Sequence, residues 1–318
     1  MNSRCIPALV PLVFAGLAVA ATGAPSPGSH APELEEVLVT GAQPGPALWR
    51  VSSGDNDLWI LGAVQPLARK VQWRSKQFES LLANSQEVIL NNSGHYTQGS
   101  QGAQLALATR LPDGQSLQDI VPPELLARVK IVARIYSVSE PLDELSPPVV
   151  ATRIANASLK SLDLRVVSLQ LAVEALARKA NVRITHYSTP NIAFEEQLQN
   201  ARDSAKSACP LELVLQVLED GGSGLRSLAN AWAVGDIEAL RRLEPEYGLF
   251  TDGNRSNACQ KQSDEYLAKR TAAWLVEAER ALRENDSTLA VVPMPELFAL
   301  DGYLAALRER GYKVVEPD

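Results

Sequence analysis

Histidine is nearly missing from this chain. Three occur in 318 residues, and His30 lies in a stretch of Pro, Gly, Ser and Ala that reads as solvated linker. That leaves His95, read as a loop residue, and His186, read as a strand end. Imidazole is the commonest metal ligand and the side chain that titrates nearest neutral pH, so its scarcity removes the usual material of metal and acid–base centres. No His-Glu-x-x-His occurs. Cysteine is equally sparse: Cys5, Cys209 and Cys259, with no Cys-x-x-Cys pair for dithiol chemistry. Gly-x-Ser-x-Gly and Gly-x-Gly-x-x-Gly are absent, and Gly221-Gly222-Ser223-Gly224 lacks the Lys of a phosphate loop, so it reads as a turn between helices. Aromatics make up 5%, and 37 acidic against 30 basic side chains give a net charge of −7. Neither a phosphate-binding surface nor a base-stacking platform fits that balance, so no nucleic-acid partner is expected.

Long apolar runs are missing too, with one exception at the start. Met1-Asn2-Ser3-Arg4 carries one positive charge, Ile6 to Ala21 carries none, and Ala18-Val19-Ala20 supplies a small-x-small cleavage pattern. Residues 1–20 therefore read as a secretory signal peptide, since the run is shorter than the roughly 20 residues that span a bilayer. Cys5 precedes the apolar run, the wrong place for lipid attachment. Residues 21–46, rich in Pro, Gly, Ser and Ala, read as a flexible linker. An exported chain without its signal keeps Cys209 and Cys259, and an even pair in an oxidising compartment favours a disulfide. Such a bridge closes a loop of about 50 residues and contributes roughly 4 kcal/mol in the loop-entropy account. Two buried free thiols are the alternative.

What is present from residue 47 to 318 is the pattern of one α/β domain. Leu48-Trp49-Arg50-Val51-Ser52 and Leu58-Trp59-Ile60-Leu61-Gly62 flank a turn at Ser53–Asp57 and predict a hairpin. Apolar spacing predicts a helix over 71–84, and Glu87-Val88-Ile89-Leu90 a buried strand ending at Asn91. From about residue 103 to 206 the helical period dominates, with helices opened at Pro122-Pro123 and Pro147-Pro148, an amphipathic stretch over 168–180, a strand at 182–187, and a long helix from Thr189-Pro190-Asn191. Helices follow over 211–235, 237–243 and 264–284. Thr288–Val292 is a β-branched strand, 303–310 a helix, and Tyr312–Val315 a closing strand. The fold class predicted is α/β, with strands at both ends of the chain forming a central sheet around a largely helical middle.

Within that frame the strand LWILG is followed by Gly62-x-x-Gln65, and the late strand by Pro293-Met294-Pro295-Glu296. Together with Trp232-Ala233-Val234-Gly235-Asp236, Lys269-Arg270-Thr271-Ala272, and Gly302-Tyr303-Leu304 running to Gly311-Tyr312-Lys313-Val314, the chain resembles the TraB/GumN family, related to the Tiki metalloproteases. The resemblance implies a Gly-x-x-His after the first strand, a Glu after the next, an Arg-Asn on a late helix and a second Gly-x-x-His. In active relatives the His and Glu positions look like ligands of a divalent metal that activates water.

This sequence departs at each position. Gln65 replaces the first His, Asn91 falls where the Glu is expected, Thr271 follows Arg270, and Glu296 stands for the second His. Amide oxygens are weak ligands, and no imidazole remains to grip a transition metal. The expected cleft is lined by Gln65, Asn91, Arg270 and Glu296, with no catalytic residue, metal or cofactor assigned, and Arg270 and Glu296 are available to pair with each other. Asp163, Glu195 and Glu196 read as solvated acids rather than a catalytic pair. The function expected is an exported, catalytically inactive binding or regulatory protein of the bacterial envelope. Its partner is an unidentified peptide, protein or envelope component, and no integral membrane segment follows the signal. The alternatives are a metal-dependent hydrolase with a rearranged site around Glu296 and a module of envelope polysaccharide assembly.

Overall fold

The structure is a computed structural model, and it describes residues 45–91, 111, 114–139, 141–187, 208–247 and 257–317. The described residues all fall in one compact unit, Ala42–Asp318. The expected signal peptide, the linker as far as residue 44, His95, Glu195, Glu196 and the helix from residue 189 lie outside them.

The hairpin forms as the pattern predicts. Strand β1 (Leu48–Ser53) pairs antiparallel with β2 (Asn56–Ala63). Gly54, with φ at +62°, takes the left-handed conformation the tight turn requires. On the solvent side Arg50 lies over the Trp59 ring and pairs with Asp57 at 2.8 Å. Strand β3 is the two-residue Leu67–Ala68. Helix α1 runs Lys76–Asn84, five residues later than the apolar spacing suggests, because Ser75 caps it by accepting from the Phe78 N–H. Strand β4 (Glu87–Asn91) is buried along its whole length, as a strand covered on both faces must be.

The middle is helical: α2 (Pro123–Ile135), α3 (Pro147–Ser161), then β5 (Leu164–Arg165), which pairs with β3, and α4 (Leu169–Lys179). Both α2 and α3 open on proline, where a missing N–H costs nothing. Strand β6 (Arg183–Tyr187) follows, then α5 (Cys209–Leu218), α6 (Ser223–Val234), α7 (Ile237–Tyr247) and the long α8 (Asn257–Glu284). Gly221 and Gly222, both at positive φ, break α5 from α6. The chain closes with β7 (Ser287–Pro293), a short α9 (Met294–Phe298), α10 (Tyr303–Glu309) and β8 (Lys313–Val315).

Six strands make one sheet in the order β6-β4-β7-β2-β1-β8. Strands β6, β4, β7 and β2 run parallel, so all four end at the same edge. A first apolar core packs both faces of this sheet, and a second joins α2, α3, α5 and α6 in the helical middle. Burying the middle against itself in this way is what lets a helical insertion sit inside an α/β chain without disturbing the sheet.

At the amino ends of the strands, Glu87 is fully buried and receives hydrogen bonds from Arg280, Thr185, Asn285 and Arg183. Burial pushes its carboxyl up, but these four donors, Arg280 first, outweigh burial and hold it at about 2. This cluster ties β4, β6 and α8 together and takes no part in the opposite edge.

Candidate functional site at the carboxyl edge of the sheet

The carboxyl ends of the parallel strands place Ala63, Pro293, Asn91 and Tyr187 along one edge. After β4 the chain next enters the sheet at β6, on one flank; after β7 it next enters at β8, on the other. Neighbouring strands whose continuations leave in opposite directions open a crevice at their carboxyl ends, which is where α/β sheets bind ligands.

Two residues open this crevice. The β4–β7 ladder pairs Glu87, Val88 and Ile89 with Thr288, Leu289 and Ala290 and goes no further. Continued by one rung, the Asn91 N–H would meet the Val291 carbonyl, and the next donor on β7 would be residue 293. Residue 293 is proline and has no N–H. The Gln170 side chain enters the gap instead. Its Oε1 accepts from the Asn91 N–H at 3.1 Å, and its Nε2 donates to the Val291 carbonyl at 2.8 Å. A side-chain amide thus stands in for one peptide group and holds the two strands apart with both backbone groups satisfied.

The motif after β2 is anchored differently. The carbonyl of Gly62 accepts from Trp232 Nε1 at 2.6 Å, which ties α6 to the end of β2. Met294 lies over Gly62, where a Cβ would come within 2.7 Å of its terminal atoms. Gln65 precedes a cis peptide to Pro66, and its Nε2 donates to the Val167 carbonyl at 3.0 Å.

Glu296, on α9, is 1% exposed, and Arg270, on α8, is 5% exposed. They pair at 2.8 Å, in keeping with the pairing the sequence allows. The second carboxylate oxygen of Glu296 accepts a short hydrogen bond from the Tyr303 hydroxyl. Burial raises the Glu296 pKa, with the Arg270 charge and the Tyr303 hydrogen bond pulling the other way. Tyr303 stacks on Trp274 at 4.4 Å, which fixes its ring from behind. Its hydroxyl is held protonated, first by burial and then by Tyr187 and Glu296. Tyr187, the last residue of β6, has its hydroxyl pushed up to about 12 by burial, with the Arg270 and Glu296 charges acting in opposite directions and hydrogen bonding to Tyr303 and Arg270 lowering it. Gly302 is required here because a Cβ would sit 2.1 Å from the Glu296 carbonyl.

The donor set does not suit a divalent metal. Glu296 gives one oxygen to Arg270 and the other to Tyr303. Gln65 and Asn91 offer only neutral amide oxygens. Among the described residues no group of three or more His, Cys, Asp or Glu is placed to hold an ion. His186 instead faces Glu174 at 3.6 Å, and Asp163 is exposed beside Arg69.

Sequence reasoning named Gln65, Asn91, Arg270 and Glu296, and the structure joins the last two directly. It passed over Gln170, Tyr187 and Trp274, and gave Tyr303 no role. Tyr303 stood within a motif segment, which was the one available signal; Gln170 reads along the chain only as a polar position of an amphipathic helix.

The fold and site define an α/β protein whose mixed sheet opens at the carboxyl edge of its four parallel strands, beside a buried Arg–Glu–Tyr cluster. The chain belongs to the TraB/PrgY/gumN family, whose model matches residues 47–316. No curated protein and no solved structure gave a match.

Proposed function

We propose that this is an exported, catalytically inactive member of its family, acting as a binding or regulatory protein of the bacterial envelope. One observation carries the reading: the only carboxylate among the four motif positions is consumed by Arg270 and Tyr303. A carboxylate so engaged neither ligates an ion nor takes a proton from water without leaving a buried guanidinium unpaired. Export is supported by the apolar segment Ile6–Ala21 behind Arg4, and by Cys209, which is disulfide-bonded. Cys259 is the partner we assign to it. Among the described residues no helix is long and apolar enough to cross a membrane.

The test is elemental analysis of the purified chain for Mn, Co and Zn after dialysis, alongside peptide cleavage with and without chelator. The expected result is no stoichiometric ion and no cleavage. A retained ion together with chelator-sensitive cleavage that Glu296→Ala abolishes overturns the reading in favour of a rearranged hydrolase.

A further inference from the structure

We propose that the outer face of α2 rests on an anionic lipid bilayer, with Ile131 and Ile135 entering the headgroup boundary and Lys130 and Arg134 meeting lipid phosphates. The inference goes beyond the reading above and does not depend on what the carboxyl edge binds.

Helix α2 is apolar on two opposite faces. Leu125, Val129 and Val132 pack into the second core. Ile131 and Ile135 lie on the other side and are 59% and 47% exposed. One turn apart, the two isoleucines are neighbours at about 6 Å. A helix apolar on one face sits on a core, and a helix apolar on both is built to lie between two apolar surroundings. Apolar residues exposed singly need no partner, but these two adjoin on an element whose inner face is already filled.

The charges around this ridge name the second surrounding. Lys130 and Arg134 are exposed, each one residue before an isoleucine, so they form a row beside the apolar one. Neither has an ion-pair partner among the described residues. Arg128 stands on the other flank, paired with Glu219 at 2.6 Å. Glu124, in the first turn, is the sole acid of the helix. The chain as a whole carries −7, but charges farther away than about 8 Å are largely screened at physiological salt, so the local cations decide. A second copy docked antiparallel across a two-fold axis would set the two rows of Lys130 and Arg134 against each other. A protein surface offers its acids at fixed points, whereas a bilayer offers phosphates on every side. Cations on both flanks of an apolar ridge suit the bilayer. Their long stems reach back to the headgroups while the isoleucines go deeper.

The experiment uses the full chain carrying Ile131→Trp, mixed with vesicles of brominated phosphatidylcholine and phosphatidylglycerol in equal parts, or of brominated phosphatidylcholine alone. Trp49, Trp232 and Trp274 are fully buried, so quenching in excess of the parent chain's reports residue 131. The added emission is expected to be quenched by the anionic vesicles and not by the zwitterionic ones. Adding Lys130→Gln and Arg134→Gln is expected to weaken partition by about 25-fold, roughly fivefold for each cation lost. If Ile131→Trp does not fold, Ile135→Trp takes its place. Added emission that stays unquenched, equal quenching by both vesicles, or partition unchanged by the glutamines overturns the proposal. So does a dimer in sedimentation velocity that Ile131→Asp dissociates, or an acidic protein held at this face without vesicle binding. An apolar segment Ile6–Ala21 left on the chain would hold it to either vesicle without bringing residue 131 to the bromines, so failed export and failure of the proposal read differently.

Discussion

Gln170 offers the sharpest test of how the carboxyl edge is built. Its amide satisfies two backbone groups that the parted strands cannot satisfy for each other, the Asn91 N–H and the Val291 carbonyl. Gln170→Met keeps the length of the side chain and removes both hydrogen bonds. Each backbone group left unmet in a buried setting costs about 1–3 kcal/mol, and the partial exposure of this site favours the lower half of that range. The expected loss is therefore about 2–4 kcal/mol. Gln170→Glu keeps the acceptor for Asn91 and loses the donor to Val291. The new charge lies in the first turn of α4, where the helix dipole returns about 0.3–1 kcal/mol. The carboxylate also sets a charged acceptor against the Val291 carbonyl, a repulsion that offsets the dipole, so the Glu variant should cost at least as much as Met. Urea unfolding followed by circular dichroism at neutral pH reads the difference. With a slope near 3 kcal/mol per molar for a chain this size, the Met variant's midpoint should fall by about 1 M and the Glu variant's by at least as much. Should the Met variant unfold within experimental error of the parent, the amide is not holding β4 and β7 apart, and the account of the crevice fails.

Other outcomes follow from neighbouring contacts. Arg270→Met leaves Glu296 buried and unpaired and should cost about 3–5 kcal/mol, whereas the double variant Arg270→Met with Glu296→Leu should regain most of it; thermal unfolding of the three chains checks this. Gly302→Ala drives a methyl into the Glu296 carbonyl and should destabilise by about 1–3 kcal/mol or more in the same assay. Glu87 titrates at about 2 when folded against an ordinary 4.5, a depressed value, so its contribution is complete above 4.5 and is lost as pH falls towards 2. That contribution is about 3 kcal/mol, and unfolding free energies of Glu87→Gln and the parent should converge between pH 4.5 and 2.

Much of the architecture can be read along the chain because it rests on local physics. The run Glu87-Val88-Ile89-Leu90 is too short for a helix and too apolar for a surface strand, so it belongs inside a sheet. Pro123 and Pro147 mark helix starts since a helix can spare the N–H there, and Gly235 at φ +74° ends α6 for lack of a Cβ. Local reading went astray where an apolar residue is buried without being helical: Trp73 fits the period of α1 yet packs on Phe78 from the extended segment before it.

The motif positions were also legible, since residue type alone says that Gln65 and Asn91 are poor ligands. What those positions do instead was settled only by folding. Gln170 reaches partners 79 and 121 residues away, and Arg270 meets Glu296 only because α8 crosses the sheet beside α9. No periodicity encodes such meetings. They depend on the order in which strands enter the sheet, and that order is decided by how the whole chain buries its apolar faces at once.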